Sequence, residues 1–150
     1  MTLKIPENLL SQIWQHGSQH YPEEGAGLLL GTVERTSRRV EKLMPLVNRF
    51  SVESRHNRYK LEPKDMLYAE QEAERLGLDV IGVFHSHPDH PPNPSEFDRQ
   101  WALPWYSYII TSVNQGTAVE SRAWRLAEDR TRFVEEHIER IETHTMEETQ

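Results

Sequence analysis

Two histidines and an aspartate in the stretch from Val83 to Asp98 have the types and the spacing of a metal site. His85 and His87 stand two apart at the end of an apolar run that predicts a strand. Because side chains alternate between the faces of a strand, we expect both imidazoles on one face, with Cα atoms about 6.6 Å apart. Asp98 comes eleven residues after His87, in the first turn of a predicted short helix. Two imidazoles and one carboxylate leave a fourth tetrahedral position for water, which is the arrangement of a catalytic zinc site.

Hydrolysis at such a site also needs a group that moves protons. Bound zinc lowers the pKa of its water towards about 7, but a positioned carboxylate still has to accept and deliver the proton. Glu24 is the candidate base, because it directly precedes Gly25 and the apolar run 26–33 in a segment with few polar residues. Its neighbour Glu23 is the rival.

Ser95 lies three residues before Asp98, so both residues point to one side of the predicted helix. The same spacing is typical of a capping box, in which a serine at the N-cap and an acidic residue at N3 satisfy each other's backbone N–H groups. Taken alone, capping is the better interpretation of this pair. The two histidines at the matching distance favour a role in the site, and the residues can serve both purposes.

Composition narrows the function classes. The 150 residues include no cysteine, which excludes disulfides, thiol nucleophiles, iron–sulfur clusters and cysteine-based zinc sites. The 17 Lys and Arg against 24 Asp and Glu leave a net charge of −7, which argues against a nucleic-acid partner. No apolar run reaches the length of a membrane span, and the first six residues do not resemble a signal peptide. We therefore expect a cytoplasmic protein with neither a nucleic-acid nor a membrane partner, whose oligomeric state is left open.

The elements around these residues predict one α/β domain. Apolar runs predict strands at 26–33, 40–47, 78–84, 105–113 and 119–126. Helical spacing predicts helices after Pro6, from Pro63 to Gly77 and over 95–103. The segment 130–142 fits a helix and a strand equally well, and 59–61 fits a short strand. The mixed order of elements indicates a mostly antiparallel or mixed sheet in a domain spanning 1–142, followed by a solvated tail at 143–150.

The chain contains the pattern His-x-His-Pro-x6-Ser-x2-Asp, which resembles the JAMM motif of MPN-domain zinc metalloproteases. Its positions here are His85, His87, Pro88, Ser95 and Asp98. The segment 22–31, Pro-Glu-Glu-Gly-Ala-Gly-Leu-Leu-Leu-Gly, is similar to the one in which that family carries its catalytic glutamate, and the spacing assigns that position to Glu24. Segments 45–48 and 59–63 resemble the short stand-alone prokaryotic members, so the likeness runs from residue 22 to about residue 124.

The resemblance implies a cytidine-deaminase-like (JAMM/MPN) architecture, a twisted and partly open mixed sheet flanked by helices. It implies one Zn²⁺ per chain, held by His85, His87 and Asp98 with a water. Glu24 would take a proton from the water and pass it to the leaving amine, and Ser95 would donate a hydrogen bond to the oxyanion. The bond cleaved would be the peptide or isopeptide bond after the C-terminal Gly of a ubiquitin-like protein.

The resemblance also indicates which class of ubiquitin-like protein the substrate belongs to. Only six residues, 99–104, separate Asp98 from the next predicted strand, so the long insertion of eukaryotic deubiquitinases is missing. This favours the bacterial-type role, which is the release of residues from a ubiquitin-like sulfur carrier with a Gly-Gly C-terminal tail. Arg55 and Arg58 flank a polar loop, where an extended tail could add to a sheet edge through main-chain hydrogen bonds.

Three other functions share part of this pattern. Residues 85–90 read His-x-His-x-Asp-His, the loop of the metallo-β-lactamase superfamily, in which Asp89 and His90 would bind a second metal. That fold needs a longer chain and further ligands, so His90 is otherwise a solvated residue or a contact to substrate. A nucleobase deaminase has a similar architecture but needs two cysteine ligands. A non-catalytic MPN scaffold would lack motif positions that this chain retains.

Overall fold

The structure, a computed structural model, describes residues 1–46 and 61–142. Within these residues the chain forms seven strands and three helices. The strands are β1 Thr2–Pro6, β2 Ala26–Val33, β3 Ser37–Leu46, β4 Asp79–Pro88, β5 Ser107–Asn114, β6 Thr117–Leu126 and β7 Phe133–Ile141. The helices are α1 Glu7–His20, α2 Pro63–Leu76 and α3 Glu96–Trp101. In the described part of the chain, none of these helices has the length and apolar character needed to cross a bilayer.

The strands form a mixed sheet that closes into a barrel in the order β1-β3-β2-β4-β5-β6-β7. β1 is parallel to β3 and to β7, β4 is parallel to β5, and the other neighbours are antiparallel. The predicted mixed sheet is therefore confirmed, but it is closed and not partly open. Closure depends on β1, a strand that the sequence does not predict, because it is only five residues long and runs directly into a helix. Its alternate residues Leu3 and Ile5 are fully buried.

Apolar packing covers both faces of the sheet, which explains why the β2 run is apolar almost throughout. On one face, Leu29 of β2 belongs to a core cluster with Ile13 of α1. On the other face, Leu28 and Leu30 belong to a second cluster with Ala69 of α2. The alternation of side chains along one strand thus divides the core into two parts, one under each long helix.

Apart from the strand predicted at 59–61, the elements predicted between residues 7 and 126 are present, with shifts at their ends. α1 begins at Glu7 with Pro6 as its N-cap. α2 begins at Pro63 and ends at Leu76, and its C-cap Gly77 has a φ of 72°, the left-handed conformation common at helix C-termini. β4 is longer than predicted and continues through both histidines to Pro88.

The segment 130–142, which fits both a helix and a strand in sequence, contains the strand β7. One part of β7 pairs with β6 and the other part pairs with β1, so backbone partners on two strands outweigh the helical spacing of its apolar residues. Most of the strand predicted at 59–61 lies outside the described residues, and Leu61 is not in a strand. The tail predicted at 143–150 also lies outside them, so the domain bounds stay a prediction.

β4 and β5 come into close contact at Gly82, three residues before His85. A Cβ at Gly82 would lie 2.0 Å from the carbonyl oxygen of Ser107 and 3.2 Å from Cδ1 of Leu29. The carbonyl belongs to a paired strand and cannot move aside without disturbing the sheet. Only glycine therefore fits at the point where these two parallel strands begin to pair.

Replacement of Gly82 by alanine should lower the free energy of unfolding by about 3 kcal/mol, the upper end of the usual range for overpacked sites. Urea unfolding followed by circular dichroism measures the loss. Gly77→Ala is the control, because nothing lies within 4 Å of a Cβ there. That variant should lose only about 1 kcal/mol for the left-handed backbone. Equal losses in the two variants would contradict the close contact at Gly82.

Candidate metal centre

Four ionisable side chains meet at the end of β4, and all of them are buried. The exposed fractions are 2% for Glu24, 1% for His85, 8% for His87 and 7% for Asp98. The two imidazole centroids are 5.1 Å apart, as expected for residues on one face of a strand. Glu24 precedes β2, where Ala26 lies opposite His85 in the antiparallel pair. Asp98 comes from the first turn of α3.

The carboxylate of Asp98 contacts both imidazoles, one with each oxygen. Its Oδ1 lies 3.4 Å from Nε2 of His85, and its Oδ2 lies 3.2 Å from Nε2 of His87. Three groups that the sequence predicts as metal ligands are therefore brought together, and the Nε2 atoms of both histidines face the same carboxylate.

Glu24 approaches the histidine pair from another direction. Its Oε1 lies 3.2 Å from Nδ1 of His85. Ligand atoms of Glu24, His85 and His87 all lie within 4.8 Å of one another, which makes this trio a group that could hold a metal ion. The group of three therefore contains Glu24, whereas the sequence predicts Asp98 as the third ligand. Asp98 is nevertheless the carboxylate that contacts both Nε2 atoms.

The capping box predicted at the start of α3 is present. The Oγ of Ser95 accepts a hydrogen bond from the backbone N–H of Asp98 at 3.0 Å, and the backbone N–H of Ser95 donates to Oδ2 of Asp98 at 2.7 Å. The same Oδ2 faces Nε2 of His87. Capping therefore orients the aspartate towards the histidines.

The hydrogen-bond partners of the two ring nitrogens of His87 show whether a cation fits beside it. Nδ1 of His87 lies 2.9 Å from the carbonyl oxygen of Pro91, and since a carbonyl oxygen only accepts, Nδ1 carries the proton. In neutral His87 the lone pair is then on Nε2, which faces Oδ2 of Asp98. A lone pair directed at a carboxylate oxygen is repelled unless a cation lies between the two atoms. A proton or a metal ion can serve, and the ligand atoms of Glu24, His85 and His87 within 4.8 Å of one another leave the residues present compatible with a metal ion.

The charges of the site shift two pKa values. Burial lowers the pKa of His85, but the nearby carboxylates of Asp98 and Glu24 outweigh burial and raise it to about 8. Burial raises the pKa of Asp98, yet the two imidazoles hold it well below its usual range. The cluster thus favours positive charge between the histidines and the carboxylates.

Ser86 belongs to the site although the sequence interpretation does not single it out. It stands between the two histidines on the opposite face of β4. Its Oγ accepts a hydrogen bond from the backbone N–H of Gly25, and its own backbone N–H donates to the carbonyl of Gly25, both at 2.9 Å. Gly17 of α1 makes room for it, because a Cβ there would lie 3.2 Å from Cβ of Ser86. The two bonds fasten the segment that carries Glu24 to the strand that carries the histidines.

Asp89 holds loops together at the rim of the site. Its Oδ2 accepts a hydrogen bond from the hydroxyl of Tyr21 at 2.6 Å, and its Oδ1 accepts one from the backbone N–H of Gln115 at 2.8 Å. Both carboxylate oxygens are thus used by the protein's own donors. This argues against the second-metal ligand that the metallo-β-lactamase alternative requires.

An open cleft of about 300 Å³ lies beside the four ionisable side chains. Its lining residues are Glu24, His87, Pro88, His90, Pro91, Asn93 and Ser95. Of the described site residues, His85 and Asp98 do not line it. The cleft therefore gives a ligand access to the carboxylate of Glu24, the imidazoles of His87 and His90 and the hydroxyl of Ser95, while Asp98 does not line it.

Residues 6–127 match the family model described as prokaryotic homologues of the JAB domain. The chain is 33% identical over 116 residues to the probable TtuB-protein conjugate cleaving protease of Thermus thermophilus, which is 75% of this chain and 74% of that protein. It is 33% identical over 127 residues to the desampylase of Pyrococcus furiosus, which is 85% of this chain and 83% of that protein.

Solved structures share the fold. A protein of Desulfitobacterium hafniense has a TM-score of 0.80 at 28% identity, and the match covers 94% of both chains. A JAB1/MPN domain protein of Archaeoglobus fulgidus has a TM-score of 0.55 at 19% identity, covering 93% of this chain and 99% of that one. At that identity the likeness shows the fold alone. It confirms the α/β architecture that the resemblance implies.

Replacement of Ser86 by alanine should lower the free energy of unfolding by about 2 kcal/mol, because the buried N–H of Gly25 would lose its acceptor. Thermal and urea unfolding measure the change. Ser18→Ala is the matched control, since the Oγ of Ser18 also accepts a backbone N–H, from Ala118, but at a half-buried position that water can reach. We expect a smaller loss there, about 1 kcal/mol or less. If the Ser86 variant is as stable as the wild type, the hydrogen bond from Gly25 to Ser86 does not stabilise the site.

Proposed function

The chain belongs to the family of prokaryotic homologues of the JAB domain, and from that premise we propose that it is a zinc-dependent peptidase and isopeptidase. The bond that it hydrolyses is the one after the C-terminal Gly of a ubiquitin-like protein. The observation that carries the proposal is the buried histidine pair, which lies between two carboxylates beside an open cleft. The names of two relatives, a conjugate cleaving protease and a desampylase, support the reaction class.

In this proposal His85, His87 and Asp98 hold one Zn²⁺ per chain. A bound zinc ion would lower the pKa of a water molecule and polarise the carbonyl of the scissile bond. The contacts of Asp98 with both Nε2 atoms support its role as the third ligand. Its capping bonds with Ser95 hold the carboxylate in place before any ion binds.

Glu24 is the proton-transferring residue of the proposed reaction. It lines the cleft, whereas Asp98 does not, so Glu24 is the carboxylate that can reach a substrate. Its carboxylate takes a proton from the attacking water and delivers it to the leaving amine. Ser86 holds the backbone beside it through the two bonds to Gly25. This division of labour assigns one carboxylate to the metal and the other to proton transfer.

Ser95 has a second role beside capping. Its Oγ accepts the N–H of Asp98, so the hydroxyl hydrogen can still be donated towards the cleft that the residue lines. There the hydroxyl stabilises the negative charge that develops on the carbonyl oxygen of the substrate.

The substrate that fits best is a ubiquitin-like sulfur carrier with a Gly-Gly C-terminal tail. Two glycines have no side chains, so an extended tail can enter the cleft and bring its last carbonyl to Glu24 and Ser95. His90 and Asn93 on the cleft wall are then contacts to the tail. The loop with Arg55 and Arg58, predicted to receive such a tail at a sheet edge, lies outside the described residues.

The reaction is tested with the zinc-loaded chain and a Gly-Gly-terminated ubiquitin-like carrier that bears one additional C-terminal residue. Mass spectrometry should find the carrier lighter by the mass of that residue. Glu24→Gln should stop hydrolysis while elemental analysis still finds about one zinc ion per chain. Asp98→Asn should lose both the zinc and the activity.

Each arm of this experiment has a contrary outcome. An active Glu24→Gln chain would remove Glu24 as the base, and an Asp98→Asn chain with normal zinc content would remove Asp98 from the ligand set. A wild-type chain that binds the carrier without changing its mass would favour the scaffold alternative. Two metal ions per chain would favour the metallo-β-lactamase-like alternative.

Ser95→Gly separates the two roles of this serine. Glycine at an N-cap costs only a few tenths of a kcal/mol, so the stability of the chain should hardly change. Loss of the hydroxyl donor should lower kcat by about 100-fold, the size of effect found when one oxyanion donor is removed. Steady-state kinetics on the extended carrier measure it. A variant that keeps its kcat would limit Ser95 to capping.

A further inference from the structure

The loop after His87 is rich in proline, with Pro88, Pro91, Pro92 and Pro94 in seven residues. Proline has no backbone N–H and restricts the residue before it to extended conformations. Such a loop cannot be held by a regular ladder of backbone hydrogen bonds. Beyond Asp89, whose side chain and backbone N–H are already bonded, the carbonyl oxygens of the loop are polar groups through which the rest of the protein can fix it.

Three consecutive carbonyls of this loop accept hydrogen bonds from side chains on three strands. The carbonyl of His90 accepts from Oγ of Ser112 on β5 at 2.7 Å. The carbonyl of Pro91 accepts from Nδ1 of His87 on β4 at 2.9 Å. The carbonyl of Pro92 accepts from Nε1 of Trp124 on β6 at 2.9 Å.

The middle bond is the one that matters for the metal centre, because it holds the proton of His87 on Nδ1 and leaves Nε2 as the ligand atom. The two outer bonds hold the peptides on either side of the Pro91 carbonyl. That carbonyl can orient the imidazole only while its own position is fixed. A partner that orients a metal-ligating histidine typically changes metal affinity by 10- to 100-fold when it is lost.

We propose that Trp124 is a positioning residue of the metal centre, which acts on His87 through the carbonyls of Pro92 and Pro91. The inference rests on the proposed function, because it requires that His87 binds Zn²⁺. Trp124 is half-buried and packs against the core cluster under α2, so its indole N–H has a fixed direction. Ser112 serves the same loop from the other side, at the carbonyl of His90.

Trp14 provides a matched control. It is also half-buried and packs against a core cluster, and its indole Nε1 donates to Oγ of Ser121 at 2.8 Å. Trp14→Phe and Trp124→Phe therefore remove the same atoms and one indole hydrogen bond each. Only Trp124→Phe releases a carbonyl of the loop.

The test is the Zn²⁺ affinity of the full-length chain, measured by competition with a chromophoric chelator. Trp124→Phe should raise the Kd for Zn²⁺ about tenfold, the lower end of the range for an orienting partner, because it acts through the loop. Trp14→Phe should leave the Kd unchanged. It should lower the melting temperature of the metal-free chain about as much as Trp124→Phe does. Equal Kd values for the two variants would overturn the proposal.

Ser112→Ala keeps the proposal testable if the tryptophan variant does not fold. It removes a hydroxyl that donates to the carbonyl of His90, with almost no change in packing volume. We expect a weaker Zn²⁺ affinity here as well, and an unchanged Kd would contradict the role of the loop. If the wild-type chain hydrolyses the carrier and both variants keep its Kd for Zn²⁺, this inference is wrong and the proposed function stands. If the wild-type chain binds no Zn²⁺, both the inference and the proposed function are wrong.

Discussion

Two imidazoles and two carboxylates are buried together at the end of β4, and each carboxylate contacts at least one imidazole. Glu24 and Asp98 lie on two sides of His85, and Asp98 also contacts His87. An ionised carboxylate without such a partner would be very costly in a buried position. The two carboxylates bring two negative charges, so one divalent cation with two neutral histidines gives a neutral cluster. The same two carboxylates raise the pKa of His85.

The closed barrel holds these groups at fixed distances from one another. β2 and β4 are antiparallel neighbours, so the start of β2 and the end of β4 lie at one end of the sheet. Ser86 then joins the two strands beyond their regular pairing, through its bonds to Gly25. The short strand β1 closes the sheet between β3 and β7. A closed sheet has few ways to change the spacing between neighbouring strands, and rigid spacing is what a preorganised site requires.

The sequence predicts the part of the site that depends on local periodicity. Alternation along β4 brings His85 and His87 to one face, and the spacing of Ser95 and Asp98 predicts the capping box that is present. The position of Glu24 before an apolar strand makes it a candidate base, but only the family resemblance favours it over its neighbour Glu23, since one glutamate before a strand has no periodic pattern of its own. Ser86 and Trp124 are found only in three dimensions, because their partners lie 61 and 32 residues away. The same reason hides β1, whose burial depends on strands that follow much later in the chain.

The capping box couples the stability of α3 to the geometry of the site, because Asp98 takes part in both. A capping box normally satisfies two backbone N–H groups at a helix N-terminus. In this chain its acidic member uses Oδ2 to accept the N–H of Ser95 while the same carboxylate faces both histidines. The aspartate therefore cannot turn towards solvent without uncapping α3, and α3 cannot fray at its first turn without moving the aspartate. Since α3 has only six residues, it has little stability of its own, so the contacts of Asp98 with His85 and His87 help to hold the helix while the helix orients Asp98.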